Sequence, residues 1–336
     1  MTLVMLLDDV PGLGVFRGVA AERFRAGFSP LSDEGLEFTA RLGSTLAERP
    51  AVLALYPSWR PDAAARLLRF ARASLGTRRL AIVPLDLPPL ALSLVADQLA
   101  FLAPYVGPGT LATVAPRLAG LLVAGARVNS VTRLERVRTG FGDHLASYLP
   151  GSEFLVTAAP RPGVRRAGPD TAPEAGDVPR PPVVVLAAEH GGDGGWVRDR
   201  LGPALGAVSV SMVADQPLGA EYWRAKRYVE FVAFSGDSGV LQAMLREAVC
   251  EPCPWCGTAV GSPVCPFCAM VQPVRTPPPA AAPPPLDEPA APGPSPARPL
   301  PAERPQPPPA RLVSAPPWNR PGVPESPSPS YANGVP

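Results

Sequence analysis

The sequence predicts an α/β body with a largely parallel sheet and flanking helices, then a small cysteine-bearing module, then an extended tail. Three observations carry that prediction. Short apolar runs alternate with helical patterns through residues 1–249, and most runs are continuous, as in strands covered on both faces. Two Cys-x-x-Cys pairs fall within residues 250–270. Of the 49 prolines, 24 lie from Pro273 to Pro336. The segment 271–336 therefore lacks the apolar surface to build a core and is expected to be disordered.

The elements follow in order. Leu3–Leu7 predicts the first strand, and its apolar start lacks the basic segment of a signal peptide. Ser32 is an N-cap candidate for a helix over Asp33–Glu48. Ala51–Tyr56 and Leu80–Pro84 are apolar strands around a helix at Asp62–Leu75, which carries Leu67, Leu68, Ala71 and Leu75 on one side. Leu90–Ala103 and Leu111–Gly125 predict two consecutive apolar helices, and Leu134–Tyr148 a third. Strands are expected at Glu153–Ala158, Val183–Ala188, Val208–Val213 and Tyr228–Phe234, with helices at Val197–Leu205 and Gly239–Val249. Residues 160–182, rich in Pro, Gly and charge, predict a linker or a mobile loop.

Charge and composition exclude some roles. A formal charge of +2 provides no basic field for nucleic acid or anionic membrane. The longest apolar stretch, 111–128, is interrupted by Pro116, Arg117 and Arg127, so no membrane span is expected. An arginine-rich, lysine-poor chain points to a high-GC bacterial genome. Without an export signal, paired thiols imply metal ligands in a reducing cytoplasm rather than disulfides.

The cysteines carry the most specific chemistry. Cys253-Pro-Trp-Cys256-Gly and Cys265-Pro-Phe-Cys268 place four thiolates on two tight turns, eight residues apart, as a tetrahedral zinc ion requires. Gly257 suits the left-handed position after the first turn; Ala269 stands there after the second. Residues 253–268 resemble a zinc ribbon, and the resemblance implies a structural zinc held by Cys253, Cys256, Cys265 and Cys268. A likeness to rubredoxin's Cys-Pro-x-Cys-Gly raises iron as a rival, but the eight-residue spacer is much shorter than in that family. Cys250 is read as a buried neighbour.

A second candidate is the strand-end crevice. If the strands are parallel, their C-terminal ends gather Asp8, Asp9, Asp86, Glu189, His190 and Asp237, which together suggest a Mg²⁺ or phosphate site. The turn Glu189-His190-Gly191-Gly192-Asp193-Gly194-Gly195, with Gly192 and Gly194, sits where α/β folds cradle phosphates, yet it matches neither standard fingerprint. Gly236-Asp237-Ser238-Gly239 looks like the nucleophile segment of trypsin-like proteases; the rest of that pattern is missing, so a helix cap is expected. His144 is read as a satisfied histidine.

With every catalytic fingerprint failing, the sequence favours a non-enzymatic zinc-binding adaptor over an enzyme. It would act through protein–protein contacts made by the ribbon and by a tail motif around Trp318. The alternative is a Mg²⁺-dependent enzyme or sensor for a nucleotide or phosphorylated ligand at the crevice. The sequence leaves the oligomeric state open.

Overall fold

The computed structural model describes residues 1–273 except 17, 169, 170, 172 and 174–177. The proline-rich tail, with its Trp318 motif, lies outside the described residues. The first half builds a four-stranded parallel sheet from β1 (Leu3–Leu7), β2 (Glu22–Phe24), β3 (Val52–Pro57) and β4 (Leu80–Leu85), in the order β2-β1-β3-β4. Only the short β2 was not expected. One face is covered by α1 (Asp33–Glu48) and α2 (Pro61–Ser74). The Ser32 hydroxyl caps α1 by accepting the Gly35 N–H at 3.3 Å. Phe38, Leu42, Leu46, Leu67 and Leu68 meet Met5, Leu7, Val52 and Ala54 across this layer. Each fully buried leucine there contributes about 1.5–3 kcal/mol.

The opposite face receives α3 (Pro89–Leu102) and α4 (Pro108–Ala119). In α3 only Ala100 and Phe101 escape burial. A helix apolar on every side must be covered on every side. It packs on β1 and β3 and, from the other direction, on β10 (Tyr228–Ser235) of a second sheet. Of its polar side chains, Asp97 accepts the Ala21 N–H at 3.0 Å and holds Arg23 at 2.8 Å, Ser93 donates to the Pro11 carbonyl at 2.6 Å, and the buried Gln98 Oε1 has no partner among the described residues.

The second sheet has six strands: β5 (Val123–Val128), β6 (Phe154–Ala159), β7 (Gly163–Arg166), β8 (Val183–His190), β9 (Ala207–Val213) and β10, in the order β7-β6-β5-β10-β8-β9. Only β8 and β9 run parallel; the other neighbours are antiparallel. The α/β class therefore holds, while the parallel arrangement is confined to the first sheet and one pair of the second. Continuous apolar runs report that both faces are covered, not which way a neighbour runs. Here α3 covers one face. Trp196, Val197 and Leu201 cover the other, beside the short helical turn α6 (Gly202–Ala204).

Two helix expectations are corrected. The run predicted as one helix to Gly125 stops at Ala119, and 123–128 is a central strand, because a short apolar run fits either state until its partners choose. Gly125 records the choice: a Cβ there would stand 2.4 Å from the Val156 carbonyl oxygen. Between 134 and 148 only α5 (Phe141–Ala146) is helical, and His144 Nε2 meets Thr139 Oγ1 at 2.5 Å. Residues 160–182 join strands of one sheet and include β7, so they separate no two sheets. Asp237 caps α7 (Ser238–Arg246) through the Gly239 N–H at 2.8 Å.

Candidate functional site

The two cysteine turns form a near-symmetric pair. Gly257 N–H donates to the Cys253 carbonyl, and Ala269 N–H to the Cys265 carbonyl, both at 2.8 Å. Both turns need a left-handed residue at this point, φ 77° for Gly257 and 61° for Ala269. At Ala269 that conformation costs about 1–2 kcal/mol relative to glycine. All four Sγ atoms lie within 4.8 Å of one another, and no other group of three or more potential metal ligands meets this criterion among the described residues. Cys253 and Cys265 are buried, and Cys256 and Cys268 are half-buried. Burial alone would push the Cys253 thiol up, but the N–H groups of Trp255 and Cys256, with the Gln272 amide, bring it down to about 6. Burial pushes Cys265 up. Four converging sulfurs with amide donors around them fit a tetrahedral divalent metal ion. Cys250 stands apart, its thiol directed at Thr113 Oγ1, 3.6 Å away.

The cysteine module is locked to the body at two places. Its short hairpin, β11 (Glu251–Pro252) with β12 (Ala259–Val260), packs on α4. Gly109 allows that approach, since a Cβ there would fall 1.8 Å from the Ala259 carbonyl oxygen. Thr113 Oγ1 also accepts the Gly261 N–H at 2.8 Å. At the second place the Pro266 carbonyl accepts the Ile82 N–H of β4 at 2.9 Å. That bond occupies the outer edge of the first sheet, which would otherwise present an unpaired donor. Gly109→Ala is expected to detach the hairpin from α4 while the two sheets keep their protection. Hydrogen exchange at Gly261 and Ile82, compared with strands β3 and β10, checks this.

A trough of about 330 Å³ opens where the second cysteine turn meets the body. Tyr56, Ile82, Val83 and Pro84 form one side, Ala112 and Pro116 of α4 another, and Val264, Pro266 and Ala269 the third. Arg69 and Arg72, three apart on α2, are the only charged residues lining it. Arg72 is held by the Phe267 carbonyl at 3.0 Å. Arg69 is exposed and makes no ion pair or hydrogen bond among the described residues. A second hollow, of about 370 Å³, mixes Arg117 and Arg180 with Glu247. Only the first therefore has apolar walls with charge of one sign.

The acidic crevice expected from the sequence does not assemble. Asp8, whose carboxyl burial raises above the usual range, ends β1 and pairs with Arg60 at 2.7 Å; Arg60 also reaches Glu221 at 3.0 Å. Glu189 and His190 are neighbours in one strand and so point to opposite faces. Glu189 tucks beneath the glycine turn, close enough that a Cβ on Gly194 would meet it at 2.4 Å. His190 stacks on Tyr228 with centroids 4.9 Å apart and meets Asp215 at 2.7 Å. Asp86 is exposed beyond β4, and Gly192 lies against the Tyr228 backbone. The division into two sheets, the second mostly antiparallel, removes the common edge on which the cluster depended.

One buried acid was missed. Glu230 of β10 is fully buried on the face toward α3, and its Oε1 accepts the Leu90 N–H at 2.9 Å. Oε2 has no partner, and the equally buried Trp223 Nε1–H faces it without closing a hydrogen bond. Burial pushes this carboxyl up to about 8. A single charge within Tyr228–Ser235, an otherwise apolar strand, was the available signal.

No family model and no curated protein matches the sequence. Solved structures do. A DegV family protein from Corynebacterium glutamicum aligns at 13% identity with a TM-score of 0.50, over 70% of this chain and 97% of its own. A DegV family protein from Thermus thermophilus, described as binding fatty acid, aligns at 14% identity, with a TM-score of 0.49, over 70% and 99%. Streptococcus pneumoniae fatty acid kinase B3 protein, solved with linoleic acid, aligns at 8% identity, with a TM-score of 0.44, over 70% and 100%. The body thus has the DegV fold, nearly end to end. That finding corrects the functional expectation. The expected zinc-binding adaptor, acting through the ribbon and the tail, gives way because the body is a complete DegV fold in itself. The nucleotide or Mg²⁺ alternative falls with the scattered carboxylates. Among the described residues no helix is long and apolar enough to cross a membrane.

Proposed function

We propose that the body binds a single-chain amphiphile with an anionic head, of the fatty acid class. The observation that carries this reading is the trough bordered by β4, α4 and the second cysteine turn. Its volume of about 330 Å³ lies at the small end of ligand sites, which suits one aliphatic chain. Its walls are apolar, and Arg69 supplies a positive charge with no internal counterion. A carboxylate head at Arg69 would gain a charge-assisted contact while its chain leaves water along Val83, Pro116 and Val264. The DegV fold adds support, since the Thermus thermophilus protein is described as binding fatty acid. Five free cysteines fit a cytoplasmic setting for this binding.

The test compares oleate with oleyl alcohol. Wild-type protein is expected to prefer the acid, and Arg69→Ala to weaken oleate by about tenfold, or ~1.4 kcal/mol, while leaving the alcohol unchanged. The exposed position of Arg69 makes the preference fall with added salt. Absence of saturable binding of either compound would sink the reading.

A further inference from the structure

The two cysteine turns are fastened to different walls of the trough. The first sits on the hairpin that Gly109 and Thr113 clamp to α4, the helix that contributes Ala112 and Pro116 to the lining. The second is tied to β4 through Ile82 and to α2 through Arg72, and itself contributes Val264, Cys265, Pro266 and Ala269. Between the turns run two sulfur contacts, Cys253 to Cys268 at 3.7 Å and Cys256 to Cys265 at 3.6 Å. Whatever holds those four sulfurs together therefore adds to the direct packing of α4 on β4 in holding one wall of the trough against another.

We infer that a single zinc ion bound by Cys253, Cys256, Cys265 and Cys268 staples the trough, so that metal occupancy sets its affinity for an amphiphile. The inference rests on the binding function proposed above and adds its regulation. Zn²⁺ replaces the protons of the thiols, which pass to solvent, and no oxidant or reductant is involved. Without the ion the link between turns reduces to the thiol contacts and the Gln272 amide's bond to Cys253 Sγ at 3.3 Å, and the α4-bound hairpin is freer to move relative to the β4-bound turn. The second turn keeps its hydrogen bonds to Ile82 and Arg72, so the trough loosens while the sheets remain folded. Thermodynamic linkage then requires the reverse effect, a bound amphiphile tightening zinc by the same factor.

The experiment uses the whole chain with cis-parinaric acid as a fluorescent probe. Affinity is measured in zinc-loaded protein, after stripping with a chelator, and after zinc is restored. Stripping is expected to weaken the probe by about tenfold or more, with recovery on reloading. Competition with a chromophoric chelator is expected to show oleate tightening zinc by the same factor. Val264→Asp locates the probe: this half-exposed wall residue ligates nothing, so the variant should keep the cobalt–thiolate absorption and lose the anionic probe. Equal probe affinity in loaded and stripped protein overturns the staple and leaves amphiphile binding standing. Lack of probe binding in either state overturns both. Undiminished binding by Val264→Asp overturns the staple by placing the probe elsewhere.

Discussion

Glu230→Gln is expected to stabilise the protein by roughly 3–5 kcal/mol at pH 8 and to leave its stability near pH 4 within about 1 kcal/mol of wild type. The sign follows from burial. The folded-state carboxyl titrates at about 8, against an ordinary value of 4.5. Below 4.5 both folded and unfolded chains carry the proton, and the ionisation penalty vanishes. As pH rises from 4.5 toward 8 the unfolded chain ionises first, so stability is lost at about 1.4 kcal/mol per pH unit. Above 8 the loss is complete and constant. Glutamine keeps the carbonyl oxygen that accepts the Leu90 N–H, and it removes the proton equilibrium. Denaturant melts of both proteins between pH 4 and 9 measure the difference. Parallel curves across that range would show that the carboxylate is not paying a burial penalty.

Cys265→Ser is expected to abolish high-affinity metal binding, whereas Cys250→Ser retains one zinc per chain. Cys265 is fully buried among the other three sulfurs, and its loss leaves an incomplete donor set. Cys250 contacts Thr113 Oγ1 instead, so serine there preserves a donor to the same oxygen. Elemental analysis gives the stoichiometry, and cobalt substitution reports thiolate ligation directly. Zinc retained by Cys265→Ser, or lost by Cys250→Ser, would mean that the four sulfurs are not the ligand set.

Much of this fold was legible because burial writes itself into apolar runs. All seven expected strands are present, and Ser32 and Asp237 cap the helices they precede. Direction was not legible, since Tyr228–Ser235 would look alike beside a parallel or an antiparallel partner. The stretch after Ala119 misled for a related reason: Leu122, Val123 and Ala124 suit either a buried helix or a central strand. The cysteine cluster was visible because its four ligands sit within sixteen residues. The trough was not. Its walls come from residues as distant as Tyr56, Pro116 and Ala269, and Arg69 looked like any arginine on the outer side of a helix. The supposed acidic crevice failed by the same logic, because it assumed one sheet edge where there are two sheets.

The double burial of α3 has a consequence for how the body comes apart. A helix lying on the surface of one sheet can peel away with it, leaving the other sheet intact. Here Leu90, Leu94 and Leu99 are shared property of both layers. Melting the first sheet uncovers the inner face of the second, and melting the second uncovers the helix that closes the first. The two halves are thereby made into a single cooperative unit, and neither offers a viable shorter protein.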